Sequence, residues 1–314
     1  MAGSDLITEA RIVELGLTPR EVRLAVRQAI EQRADGRATL VGKVGLYPKS
    51  GGLFHAMPGA LEDLVALKWL VAGGRPRAGD PELKSTILAT DPLTGDLLGI
   101  MDAGYLTGLR TAAITALALE LLVPSREIRL SFVGAGLQAR AHLEAVADVL
   151  PIGDVLVLSR SAESAQAFAE YARTRNIRAR PVADPREAIE SADVVITCVP
   201  FMVRVPPFLD ARWLHPQAFV ALIDLGRPWL GSTFHAFDRF VTDDLAHTQA
   251  FLQTGIVEAP GAFTEDLSGL VSGNGALPAS GSRASSGRTL FFPPGIALAD
   301  AAVARLVLRR LGRM

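Results

Sequence analysis

Cysteine is almost missing: Cys198 is the one thiol in 314 residues. That excludes an internal disulfide framework and suits a reducing compartment, so the cytoplasm is the expected location. The five histidines are scattered, and with a single cysteine they offer no zinc-type ligand cluster, so no metal is expected. Neither sign of charge is in excess, with 32 Lys and Arg against 33 Asp and Glu. This balance leaves no electrostatic footprint for nucleic acid or an anionic membrane. No run reaches the roughly 18 uninterrupted apolar residues of a membrane helix. Met1–Thr8 lacks the basic start and apolar core of a secretory signal. Neither nucleic acid nor membrane is therefore expected as a partner.

What is present reads as an ordinary globular chain, 49% hydrophobic and 21% charged, long enough for two domains. Val22, Ala25, Val26 and Ile30 recur at helical spacing over Pro19–Arg33, with Thr18 as N-cap. From Ala38 to Trp69, short apolar runs broken by Gly and Pro predict antiparallel strands, with a turn at Lys49–Gly52. A hairpin is expected from Ser85–Thr90 and Leu97–Met101, and a long buried helix over Tyr105–Leu122.

After Pro124 the rhythm changes. Strands are expected at Arg129–Val133, Val155–Leu158, Ala179–Val182, Val194–Val199, Phe219–Ile223 and Arg239–Thr242. Helices at Gln138–Val149, Ala162–Thr174 and Pro185–Ser191 fall between them. Such alternation predicts a parallel sheet covered on both faces. Ser272–Gly287, rich in Gly, Ser and Ala, reads as a mobile loop, and Ile296–Arg310 as an amphipathic helix.

Gly134-Ala135-Gly136-Leu137-Gln138-Ala139 sets G-x-G-x-x-A directly after a strand and at a helix start. Gly134 permits the tight turn, Gly136 lets backbone approach a pyrophosphate, and Ala139 allows close helix packing. A dinucleotide is the expected ligand. The second strand ends in Ser159-Arg160-Ser161, where an acidic residue usually holds the ribose hydroxyls of NAD. An arginine there suits a 2′-phosphate, so NADP(H) is favoured over NAD(H). Thr197 and Val199, at the end of the fourth strand, are expected beside the cofactor.

Familiar chemistries are missing. No tyrosine has a lysine four residues later, and there is no G-x-S-x-G elbow. Two basic residues stand out instead. Lys68 interrupts the apolar run Leu64–Val71, and Arg110 lies near the start of the long helix, followed by Thr111. A core-facing lysine costs several kcal/mol unless paired, and arginine's planar fork fits a carboxylate. A lysine on the wet face of a strand and a structural ion-pair arginine are the alternatives. Thr111 is expected near a phosphate.

The run Asp102-Ala-Gly-Tyr-Leu-Thr-Gly-Leu-Arg110-Thr-Ala-Ala resembles the signature helix of the ornithine cyclodeaminase/mu-crystallin family. Met57-Pro58, Lys68, Gly134-x-Gly136-x-Gln138-Ala139 and the closing Leu290–Asp300 segment match it in order. The resemblance implies an α/β fold, with a Rossmann-type dinucleotide-binding domain (123–289) inserted in an α+β substrate-binding and dimerisation domain (1–122 plus 290–314). It implies a homodimer acting on a small amino or imino acid, with hydride transferred at the α-carbon. Lys68, Arg110 and Lys43 would hold the substrate carboxylate, and Asp224 and Lys68 would be catalytic. An aspartate just beyond a strand is also a common turn residue.

Two departures point away from ornithine as substrate: the Val220–Trp229 segment, and His55 where some cyclodeaminases carry an acid. Ketimine reduction or amino-acid dehydrogenation is the leading reading. Ornithine cyclodeamination, or non-catalytic binding of NADP(H) and a small ligand, is the alternative.

Overall fold

The structure, a computed structural model, describes residues 6–49, 51–73, 83–200, 205–273 and 287–314. The chain forms two compact units, Met1–Ile114 with Gly295–Met314, and Thr115–Pro294.

The first unit is built on a seven-stranded sheet. Its strands are β1 (Leu6–Ile7), β2 (Thr39–Leu40), β3 (Val44–Leu46), β4 (Leu53–Leu61), β5 (Leu64–Ala72), β6 (Leu83–Thr90) and β7 (Leu97–Asp102). They run in the order β1-β7-β6-β5-β4-β2, with β3 also on β4. All these pairs are antiparallel except β1 on β7. Along β5 the side chains alternate: Leu64, Ala66 and Lys68 are buried, while Val65, Leu67 and Trp69 are exposed. Lys68 therefore stands in the inward register.

The helix Pro19–Ala34 starts on a full capping box between Thr18 and Glu21. The closing helix Ala297–Arg310 lies on the same sheet and departs from the amphipathic expectation, since residues 297 to 305 are all buried. Its charges mislead because the buried ones are paired: Asp300 with buried Lys68, and Arg305 with half-buried Asp63 at 3.1 Å. At Gly59 an added Cβ would stand 3.0 Å from the Ala297 Cβ, so helix and strand touch backbone to backbone.

The helix Gly104–Leu122 is long and apolar enough to cross a membrane by length and composition, yet 72% of its most apolar window is buried inside the protein. It reads as a core helix. The chain enters the second unit within this helix, after Ile114 rather than at Leu122. Thr115 explains the difference: its hydroxyl lies 3.1 Å from Nε2 of His142 on the helix Leu137–Ala147.

The second unit carries an eight-stranded sheet, parallel throughout. Its strands are β8 (Ile128–Val133), β9 (Ile152–Leu158), β10 (Ala179–Val182), β11 (Val194–Thr197), β12 (Phe219–Leu222), β13 (Arg239–Thr242), β14 (Glu265–Asp266) and β15 (Thr289–Phe292). The order is β10-β9-β8-β11-β12-β15-β13-β14. The chain winds outward one way from β8 and the other way from β11, so the carboxyl ends of these two strands form the topological switch point, where doubly wound sheets bind ligands. The domain boundary expected at 290 falls instead after Pro294. The reason is β15, an all-buried strand that fills the gap between β12 and β13. Strand β11 stops at Thr197 rather than Val199, because the Val199 N–H turns to a side chain. The glycine- and serine-rich loop expected at 272–287 lies outside the described residues over 274–286.

Candidate active site

At the switch point, Gly134 turns the chain with φ +110°, a left-handed value unfavourable to any side chain. A Cβ there would stand 2.6 Å from the Cys198 carbonyl oxygen, so the turn packs directly on the loop after β11. Gly134 N donates to Leu158 O, and Cys198 N to Val133 O, each at 2.8 Å. The ends of β9, β8 and β11 are thereby tied together.

Gly136 is the N-cap of Leu137–Ala147, and no side chain caps that end. An added Cβ at Gly136 would meet nothing within 4 Å. The protein's own packing does not require glycine at 136; a group pressed against the helix end would. The free N–H groups of Leu137 and Gln138 and the positive helix end fit a pyrophosphate. Ala135 completes the turn, the Gln138 Oε1 has no hydrogen-bond partner, and Ala139 is fully buried against the sheet.

At the end of β9, Ser159 is half-buried and Arg160 exposed. Ser161 caps the helix Ala162–Arg173, accepting from Ser164 N at 3.2 Å and donating to Glu163 at 2.6 Å. Its hydroxyl proton is thus held locally, while the Arg160 guanidinium reaches solvent.

Asp224 follows β12 and is buried. Its Oδ1 accepts from Thr197 Oγ1 at 2.9 Å and from Gly226 N at 3.1 Å, and its Oδ2 from Val199 N at 3.0 Å. The structure thus brings Thr197 and Val199 to Asp224. Leu225 and Gly226, both at positive φ, curl the chain behind it, and Arg227 donates back to the carbonyls of Asp224 and Val199. Burial pushes the Asp224 carboxyl up to about 6, against the pull of its three hydrogen bonds and of Arg227. A carboxyl in that range exchanges a proton readily near neutral pH. Asp224 is at once a brace between β11 and β12 and a group able to carry a proton. Burial pushes the neighbouring Cys198 thiol up, so it is no nucleophile.

The first unit holds the basic set. Lys68, Arg110 and Asp300 are all buried. Lys68 Nζ donates to Asp300 Oδ1 at 2.8 Å. Arg110 Nε lies 3.1 Å from the same oxygen, as an ion pair without the alignment of a hydrogen bond. Gly295, at φ +93°, presents bare backbone to the guanidinium; a Cβ would come 2.8 Å from Arg110 Nη1. Arg110 Nη1 and Asp300 Oδ2 are buried without a hydrogen-bond partner.

Two cations and one anion leave this set with a net single positive charge. Burial, then Arg110, pushes the Lys68 amine down to about 7, while Asp300 holds it up. Lys43, on the link between β2 and β3, adds a further downward push on Lys68. His55, inward on β4, is held down to about 4 by burial and by the charges of Lys43 and Lys68, and so is neutral. Its Nε2 lies 3.4 Å from the Tyr47 hydroxyl. A buried cationic set of this kind is suited to one carboxylate. Thr111 donates its hydroxyl to Thr107 O at 2.7 Å, one turn back.

A small hollow lined by Leu122, Arg126, Asp193, Phe219 and Thr289 lies at the amino ends of the parallel strands, the opposite end from Gly134 and Asp224. It has no part in this chemistry. Sequence reasoning gives no role to Asp300 or Gly295, although a lone acid in an alanine-rich helix, facing no visible partner, is a signal for the first.

The model of the ornithine cyclodeaminase/mu-crystallin family matches residues 4–312. The chain belongs to the ornithine cyclodeaminase/mu-crystallin family. An alanine dehydrogenase from Archaeoglobus fulgidus is 29% identical over 307 residues, 96% of this chain and 94% of the relative. A ketimine reductase mu-crystallin from Macropus fuliginosus is 30% identical over 265 residues, 82% and 81% of the two chains. The solved structure of an archaeal alanine dehydrogenase dimer with bound NAD is similar with a TM-score of 0.84 and 26% identity, covering 98% of this chain and 95% of that one. In the ornithine cyclodeaminase/mu-crystallin family, then, the mixed α/β fold with its parallel sheet is a shared feature.

Proposed function

We propose that this chain is an NAD(P)-dependent oxidoreductase that transfers hydride at the α-carbon of an amino acid or imino acid, as a ketimine reductase or amino-acid dehydrogenase. The observation that carries the reading is the buried Lys68–Arg110–Asp300 set, one anion short, in a member of a family with alanine dehydrogenases and ketimine reductases. The bare turn at Gly134 and the uncapped helix end at Gly136 fit a dinucleotide. When bound, that cofactor gives or accepts the hydride at its nicotinamide ring.

The chain's own residues do the rest. The backbone from Gly134 to Gln138 holds the pyrophosphate. Arg160, flanked by Ser159 and Ser161, takes the 2′-phosphate, which favours NADP(H). Lys68, Arg110 and Lys43 fix the substrate carboxylate and so orient the α-carbon. Asp224, held by Thr197 and Val199, gives or takes a proton at the substrate nitrogen or at a water. The protein works in the cytoplasm, as the near absence of cysteine suits, and as a homodimer, a state supported by the dimeric archaeal relative and by an apolar outer face on the first sheet.

The test is NADPH and NADH titration of the purified protein, followed by cofactor oxidation with Δ1-pyrroline-2-carboxylate. Tighter NADPH binding and turnover are expected, with kcat/KM falling about 100-fold or more in Arg110→Ala. Near-normal turnover in that variant would remove Arg110 from the site. Tighter NADH binding would remove Arg160. Release of ammonia from ornithine would instead mark a cyclodeaminase.

A further inference from the structure

Lys68 and Arg110 share one buried partner, Asp300, and reach it through a single oxygen, at 2.8 and 3.1 Å. The other oxygen of Asp300 and the Nη1 of Arg110 are buried without hydrogen-bond partners. An acid that only neutralised Lys68 would have no reason to touch the arginine as well. One that bridges both cations sets their spacing. Its position is itself fixed by the closing helix, which is buried from 297 to 305 and cannot drift without opening the core.

We propose that Asp300 is the positioning residue of the carboxylate site: it holds Lys68 and Arg110 side by side and leaves the set one anion short, so that the substrate carboxylate completes it. This rests on the reading of Lys68 and Arg110 as the carboxylate ligands. The residues opposite Lys68 on the flanking strands are Met57 and Ile87, which carry no charge. The charges acting on Lys68 are Arg110 and Lys43, which push its amine down, and Asp300, which holds it up; neutral His55 lies near enough to feel it.

The sign follows. Lysine binds an anion when protonated, so carboxylate binding weakens as pH rises through about 7. Without the charge of Asp300 that limb moves to lower pH. An arriving carboxylate acts in the same sense as Asp300, so its binding above neutrality takes up protons.

Two measurements test this. Asp300→Asn, close in shape but uncharged, should bind NADPH as the unaltered protein does. Its KM for Δ1-pyrroline-2-carboxylate should rise about tenfold. The alkaline limb of its kcat/KM profile should move down by about one pH unit or more. A KM and a limb like those of the unaltered protein would overturn the proposal; a purely structural role would lower stability without moving the limb. Should the variant not fold, the unaltered protein decides. Loaded with NADP+, it is titrated at about pH 8 with pyrrole-2-carboxylate, which has the carboxylate but no reducible imine, in two buffers of different ionisation enthalpy. Proton uptake is expected. Binding without uptake would show that the carboxylate does not complete the charge set around Lys68 and would overturn the proposal, whereas no binding and no turnover sink the functional reading with it.

Discussion

At Gly134 a Cβ would run into the Cys198 carbonyl, whereas at Gly136 it would enter open space. The two positions should therefore fail differently. Gly134→Ala combines a left-handed φ with a backbone collision and should cost about 1–3 kcal/mol, read as a lower thermal midpoint together with lost cofactor binding. Gly136→Ala, at an ordinary extended φ of −86°, should melt with the unaltered protein yet bind NADPH about tenfold or more weakly. If Gly136→Ala kept full cofactor affinity, the helix end would not be the pyrophosphate site. The same scale explains why Lys68 is legible and Asp300 is not. A lysine in an alternating apolar strand violates the local pattern, and the violation is visible within five residues. Asp300 sits among alanines at a spacing that also suits a solvated stripe, and its partner Lys68 lies 232 residues away.

Among the elements, those with local signals match their expected bounds closely. Pro19–Ala34 is announced by Thr18, the expected N-cap, and the structure adds Glu21 as the second half of a capping box. Thr18→Ala should cost about 1 kcal/mol, since both bonds through the Thr18 hydroxyl are lost while the Thr18 N–H still donates to Glu21. In the melting curve that is about 2–4 °C, with kcat unchanged because the cap lies on no candidate site residue. A lowered kcat with an unchanged melting curve would contradict this reading. The hairpin β6–β7 is equally local, since Asp91 caps its turn by accepting from Leu93 N at 2.7 Å and Thr94 N at 3.0 Å. The elements that sequence reasoning leaves out are the short or all-apolar ones. Thr289–Phe292 has no alternation because both of its faces are covered, so period alone cannot separate it from the segment that follows. The helix Leu245–Gln253 carries no long stripe, and its start is marked by the cap at Asp244.

For the whole molecule, the outward face of the first sheet is the feature that supports the proposed dimer. Leu67 pairs with Leu88 on one side and Pro58 on the other, and Trp69 packs on Phe54 with ring centroids 5.9 Å apart. Val65, Leu67, Trp69 and Leu88 are all exposed, an apolar row that monomers rarely leave bare. Placing Leu67→Lys and Leu88→Lys together should convert a dimer to monomers in sedimentation measurements, with the NADPH site of the second unit intact. A dimer that survived both lysines would have its interface elsewhere.

Taken by itself, the amino-acid sequence determined the turn at Gly134, the βα rhythm of the parallel sheet, the cap at Thr18 and the resemblance over nearly the whole chain. Each of these depends on neighbours within a few residues or on a pattern carried along the chain. Only the tertiary structure decided that Asp224 is bound by Thr197 and Val199, that the closing helix is buried, and that Asp300 joins Lys68 and Arg110. Periodicity tells which side of an element is turned inward, but not which distant element meets it there. The partner of a buried charge is set by that meeting.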